Sequence, residues 1–136
     1  MTPRRHQRSA CPISLALDVF GDRWTLLVVR DLALKGIRSY SELQASEEGI
    51  STNILADRLA RLEDLDIVTK ETPADDKRRF VYRLTKRGAD LLPVLVEIIV
   101  WSARHDPDTA VPKSFLSRAK SDRDGLIADL RKRLEC

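Results

Sequence analysis

The stretch SYSELQASEEGISTNILADRLARLEDLDIVTKETPADDKRRFVYRLT, from Ser39 to Thr85, carries two kinds of apolar spacing. In its middle, Ser51 is a good N-cap, and Ile54, Leu55, Leu59, Leu62 and Leu65 fall on one side at helical spacing. Thr52, Asn53, Ala56, Asp57 and Ala60 fall on the other side. Towards the end, strict alternation sets Phe80, Tyr82 and Leu84 on one face of a strand and Arg79, Val81 and Arg83 on the other. Pro73-Ala74-Asp75-Asp76 has turn composition, and Lys77, Arg78 and Arg79 follow it directly. The stretch therefore predicts a short helix capped by Ser41 ("SELQAS", ending near Gly49), a second helix opened by Ser51, and a hairpin. The hairpin pairs residues 67–72 with 79–85 and ends in a positively charged tip.

Upstream, "CPISLALDVFGDRW" begins a helix. Pro12 suits a first helical position, and Ile13, Ala16, Leu17 and Phe20 make a stripe. Gly21 is expected to end that helix in a left-handed turn, and Asp22 to cap the next. The next helix, about 23–35, carries Trp24, Leu27, Val28, Leu32 and Leu34 and stops at Gly36. Downstream, Thr85 caps a long helix from Lys86 to about His105, "HDPDTAVP" is a loop, and residues 114–134 form a last amphipathic helix. Helix, helix, short helix, helix, hairpin, helix is the winged helix-turn-helix plan, mainly α with a small antiparallel β-hairpin. Three segments follow: a polar arm over 1–10, the winged unit with its dimerisation helices over 11–105, and a loop and C-terminal helix over 106–136.

Composition agrees with a folded domain of 136 residues with 43% hydrophobic content. A formal charge of +3 and a pI of about 9.1 are too mild to define a partner. Distribution says more. Between Lys70 and Arg87 seven basic residues face three acids, and Arg4, Arg5 and Arg8 stand in the first nine residues without an acid. Two cysteines, Cys11 and Cys136, are too few for a disulfide scaffold and suit a reducing cytoplasm. No apolar run reaches the roughly 18 residues of a membrane span, so no membrane partner is expected.

The blocks "CPISLALDVFGDRWTLLVVRDL", "SYSELQ", "GISTNILADRLARLEDLDIV" and "VYRLTKRGADLLPVL", with the Trp101 that follows, resemble in order those of the HxlR-type winged-helix regulators. The similarity covers about Cys11 to His105 and implies a dimeric transcription factor of the bacterial type. Two departures stand out. The wing tip "ADDKRRFVY" looks more like the Asp-x-Arg wing of the related MarR-type regulators, and the tail beyond Pro112 exceeds the family's minimal length.

On this plan the expected partner is double-stranded DNA. Thr52, Asn53 and Ala56, with Ser51 at the cap, sit at the helix start where Asn can read adenine and methyl groups can meet thymine. Thr and Asn are equally ordinary first-turn residues. Ser39, Tyr40 and Ser41 stand where hydroxyls and backbone N–H groups hold phosphate, although Tyr40 also fits a core. Arg58 projects towards the apolar side, so its head can reach an acid or the DNA, and Arg61 has both an ion pair and a phosphate open to it. Lys77, Arg78 and Arg79 can enter a minor groove or grip phosphates, or stand as a solvated turn ordered by Asp75 and Asp76.

The helix from Lys86 is apolar nearly all round, which calls for a second subunit as cover. A two-fold dimer is expected through Ile13, Leu17, Leu92, Leu95, Ile99 and Trp101, with Pro93 kinking the helix. Such a dimer reads half-sites about one helical turn apart. Cys11 precedes Pro12 at a helix start, where the dipole favours an anion, and Arg8 is three residues away. Some HxlR-type regulators use an N-terminal cysteine to sense oxidants. A small residue packed at a dimer contact is the other reading of Cys11, and Cys136 is an incidental terminal thiol.

No catalytic or metal-binding constellation is present. The two histidines, His6 and His105, lie far apart, and neither a Gly-rich phosphate loop nor a nucleophile elbow occurs. No enzyme and no cofactor are expected. Two other classes remain: a winged-helix module docking an acidic protein, and a regulator gated by a small molecule or an oxidant effector.

Overall fold

The computed structural model of the chain describes residues 9–72 and 80–135. In chain order the elements are α1 (Pro12–Phe20), α2 (Thr25–Ala33), α3 (Tyr40–Gln44), α4 (Thr52–Asp64), β1 (Val68–Glu71) and β2 (Val81–Leu84). They continue with α5 (Lys86–Ala89), α6 (Leu92–His105), α7 (Lys113–Ser121) and α8 (Arg123–Leu134). β1 and β2 pair antiparallel, from Val68 opposite Leu84 to Glu71 opposite Val81. This is the winged helix-turn-helix order read from the sequence. One addition is a bridge from Ser39 to Val81, in which the Tyr82 N–H donates to the Arg38 carbonyl at 2.8 Å and the Tyr40 N–H to that of Phe80 at 3.2 Å. The segment leading into α3 thus closes on the hairpin.

The core follows the helical spacing. α2 buries Val28, Val29 and Leu32, α4 buries Leu55, Leu59 and Leu62, and α6 buries Leu92, Leu95 and Val96. Leu43, Ile67, Val68 and Tyr82 join them, and α7 and α8 add Ala119, Leu126 and Leu130 to the same cluster. The C-terminal helices pack on α6 and belong to the one core.

Four local expectations are corrected. Gly21 is right-handed (φ −76°); its lack of a side chain serves close packing, since a Cβ there would meet the Leu17 carbonyl at 2.4 Å. Left-handed backbone appears instead at Gly36 and Gly49. Ser39, not Ser41, caps α3: its hydroxyl oxygen accepts the Glu42 N–H at 3.2 Å and donates to the Glu42 carboxylate at 2.7 Å, in the S-x-x-E manner. The helix expected from Lys86 to His105 is two helices. Pro93 has no N–H to give the Ala89 carbonyl, so α5 ends at Ala89 and Pro93 lies in the first turn of α6 instead of kinking it. The last helix is also two, broken at Asp122 (φ −151°, ψ 63°), whose carboxylate accepts the Gly125 N–H at 3.2 Å and starts α8.

Candidate nucleic-acid interface

The first turn of α4 is fixed from two directions. Ser51 Oγ accepts the Ile54 N–H at 3.3 Å, which satisfies one of the helix's orphan donors. The Tyr40 hydroxyl donates to the Thr52 carbonyl at 3.1 Å and ties the start of α3 to the start of α4. Tyr40 is half-buried, so it serves the packing and the helix junction at once. Thr52, Asn53 and Ala56 are exposed, and among the described residues the side chains of Thr52 and Asn53 have no hydrogen-bond partner. Ser39 and Ser41 stand with their hydroxyls 3.4 Å apart at the mouth of α3.

Arg58 lies elsewhere. Its Nε donates to Asp22 Oδ2 at 2.8 Å and its Nη1 to Asp57 Oδ2 at 2.5 Å, with most of the side chain buried. The head reaches acids of its own chain, so its place is the junction of α4 with the α1–α2 turn. Asp22 in turn accepts the Trp24 N–H at 2.9 Å, the Thr25 N–H at 3.1 Å and the Thr25 hydroxyl at 2.5 Å. Burial alone would raise the Asp22 pKa. The hydrogen bonds from Thr25, Arg58 and the two backbone N–H groups outweigh it and hold the carboxyl well below the usual range. The same contact with Asp22 raises the Arg58 pKa. Arg61 donates to the Asp18 carbonyl, a second tie from α4 to α1. The sequence had shown that Arg58 could reach an acid but not which one, because Asp22 lies 36 residues away.

In the hairpin, Lys70 Nζ stands 3.9 Å from the Phe80 ring centre, and Arg83 pairs with Glu71 at 3.4 Å. Lys86 and Arg87 are exposed at the start of α5. Lys77, Arg78 and Arg79, with Asp75 and Asp76, lie outside the described residues, as do Arg4, Arg5, Arg8 and Cys136.

The expected dimer residues differ in burial. Ile13 (72%), Leu17 (56%) and Trp101 (61%) are exposed, and Ile98 joins them at 42%. Leu92 and Leu95 are buried in the chain's own core, so the expectation that they face a partner is corrected: α7 and α8 already pack on α6. Ile99 is half-buried. Cys11 is an exposed free thiol at the N-cap of α1, and its N–H donates to Ser9 Oγ at 3.3 Å. Among the described residues no helix is long and apolar enough to cross a membrane, and no group of three His, Cys, Asp or Glu could hold a metal ion.

Residues 19–109 match the family profile described as HxlR-like helix-turn-helix. An HTH-type transcriptional regulator of Mycobacterium tuberculosis, MT3179, is 33% identical over 102 residues, which make up 75% of this chain and 63% of that one. The chain thus spans less than two thirds of the length of that relative. Among solved structures, that of PA1607, a proposed transcription factor, is similar with a TM-score of 0.67 and 38% identity, covering 79% of this chain and 75% of the other. The redox regulator HypR in its oxidised form is similar with a TM-score of 0.61 and 26% identity, covering 73% of this chain and all of the other.

Proposed function

The chain belongs to the HxlR-like helix-turn-helix family, and on that premise we propose that it is a sequence-specific DNA-binding transcriptional regulator, a repressor that acts as a homodimer in the cytoplasm. The observation that carries this reading is the first turn of α4. Thr52 and Asn53 are exposed, and among the described residues their side chains have no partner, on a turn held by Ser51 and Tyr40 in a helix anchored one turn later by the Arg58–Asp22 pair. A rigid helix start with uncommitted hydrogen-bonding groups is what reading a base edge requires. Ser39 and Ser41 would meet phosphate beside it, and Lys77, Arg78 and Arg79 would grip the backbone from the wing. Arg58 takes part by positioning α4 through Asp22. The unit spans residues 11–105, and 106–136 extends it.

Self-association would run through Ile13, Leu17, Ile98 and Trp101, a set of apolar side chains that a lone chain leaves in water. Two copies related by a two-fold axis would present two α4 starts to a pseudo-palindrome. Cys11 adds a redox response, supported by its exposure and by the likeness to HypR. Peroxide would convert the thiol to a sulfenic acid with release of water, altering the contact that α1 makes and releasing DNA. A Cys11→Ser variant whose DNA binding responded normally to peroxide would refute that part alone.

Selection of bound fragments from random duplex DNA at two salt concentrations tests the main reading. A pseudo-palindrome should emerge, and log K should fall with log salt at about −0.9 per phosphate neutralised, several units for a dimer. Arg78→Ala should reduce that slope, whereas Asn53→Ala should relax one position in each half-site. Absence of an enriched motif, with weak binding at both salts, would favour the alternative of a module that docks an acidic protein.

A further inference from the structure

α2, α6, the 109–112 segment and the two C-terminal helices line a cleft of about 560 Å³ that is open to solvent on one side. Its walls are almost wholly apolar, with Leu27 and Leu34 from α2, Ile99 from α6, Val111 from the loop, Phe115 from α7 and Leu130 from α8. Three cations line it, Arg30, Lys35 and Arg133, and no carboxylate does. Arg30 is neutralised by Asp31 at 2.8 Å and Glu48 at 3.4 Å. Lys35 and Arg133 are exposed, and among the described residues neither has an ion-pair partner.

From this arrangement we infer that the cavity is a binding site for an apolar monocarboxylate, its hydrocarbon body in the cavity and its carboxylate at Lys35 and Arg133. Small-molecule sites are clefts in this size range that combine apolar walls with a few polar groups. The charge pattern selects the ligand class. A cation would be repelled by the two uncompensated charges, a neutral apolar guest would leave them unused, and a small hydrophilic anion would leave the walls wet. Only a molecule apolar at one end and anionic at the other satisfies both parts. The exposed face assigned to self-association is separate: Ile13, Leu17 and Trp101 do not line the cavity, and Ile98 alone is shared. The far wall comes from residues beyond 109, where the family match ends.

Calorimetric titration of the full chain, without DNA, tests the site. Decanoate and 2-naphthoate represent straight-chain and aromatic sources of the ligand; decan-1-ol and acetate each lack one half of it. Saturable binding of at least one carboxylate is expected, one per chain, and whichever binds more tightly identifies the source. Acetate and decan-1-ol should bind at least about tenfold more weakly. The double variant Lys35→Gln, Arg133→Gln, changed at two exposed positions, should weaken the carboxylate at least about tenfold and leave decan-1-ol unchanged. Ala110→Trp, in the exposed loop, should fill the cavity and abolish binding. The proposal is overturned if neither carboxylate saturates, if the double variant binds as the parent does, or if binding occurs only as the dimer dissociates, which would assign the cavity to the subunit contact. An effect of occupancy on DNA affinity rests on the regulator reading above; the titration does not, so either can fail without the other.

Discussion

α4 and α6 bury matching faces and expose opposite ones. α4 buries Leu55, Leu59 and Leu62 and presents Thr52, Asn53, Ala56 and Ala60 outward; α6 buries Leu92, Leu95 and Val96 and presents Ile98 and Trp101. The inner faces are interchangeable in physical terms, since each removes aliphatic surface from water. The outer faces are not. A polar face costs nothing in water and waits for a partner that offers hydrogen bonds, while an apolar face gains by being covered. The inner faces therefore set the fold and the outer faces set the partners.

The largest expected effects fall on the inner faces, where the two helices should behave alike. Leu59→Ala and Leu92→Ala should each cost about 3 kcal/mol in urea denaturation, since both side chains are fully buried. If Leu92→Ala cost less than about 1 kcal/mol, the inner face of α6 would not be core in solution, and the correction of its dimer role would fail. On the outer face, Trp101→Ala should weaken self-association by about 2 kcal/mol, roughly thirtyfold, measured by sedimentation. The circular dichroism of the monomer should stay unchanged. Asn53→Ala should leave self-association where it was, and equal effects of the two substitutions would erase the contrast between the helices.

Much of this contrast was legible in the sequence. The 3.6-residue spacing of Leu55, Leu59 and Leu62 and the period-two spacing of Phe80, Tyr82 and Leu84 fixed the helix-turn-helix and its hairpin, because periodicity records which face is buried. The nearly all-round apolar character of residues 91–101, interrupted by Glu97, was visible too, but not its division between own core and partner. Leu92 and Trp101 look alike as letters, and what separates them is that α7 and α8 pack on α6, a contact between distant segments. The breaks at Asp90–Leu91 and Asp122 carried local signals, Pro93 and the Asp-x-x-Gly spacing of 122–125, which the long apolar periodicity masked. The S-x-x-E spacing of 39–42 likewise marked Ser39 as the cap. The cavity left no trace, since its walls come from four separate stretches.

A smaller effect is expected where α4 meets the α1–α2 turn. Asp22→Asn keeps an acceptor for the Trp24 and Thr25 N–H groups but loses the charge that faces Arg58. It should cost about 1.5 kcal/mol near neutral pH, a figure moderated by the partial exposure of both side chains. The fold holds the Asp22 carboxyl below its ordinary value of 3.8, so the ionised form is the stabilised one. Its contribution is fully present above that value and is lost as pH falls through it towards the lower folded-state value. Urea denaturation at about pH 7 and about pH 3 should therefore show the gap between Asp22→Asn and the parent narrowing in acid. A gap that stayed constant would mean the pair contributes no pH-dependent stability.

The smallest effect is the one that bears most directly on DNA. Asn53→Ala removes a side chain that has no hydrogen-bond partner among the described residues, so stability should change by less than about 0.5 kcal/mol. Its consequence should appear only in the complex. Loss of a bidentate contact to adenine should weaken the selected site by about 1 kcal/mol per half-site while leaving non-specific DNA unaffected, since phosphate contacts carry that affinity. Fluorescence anisotropy with the selected duplex and with a scrambled one separates the two. Equal weakening on both would make Asn53 a backbone contact. No weakening on either would move base reading away from the first turn of α4, and the polar outer face would then be surface, as it is on any helix in water.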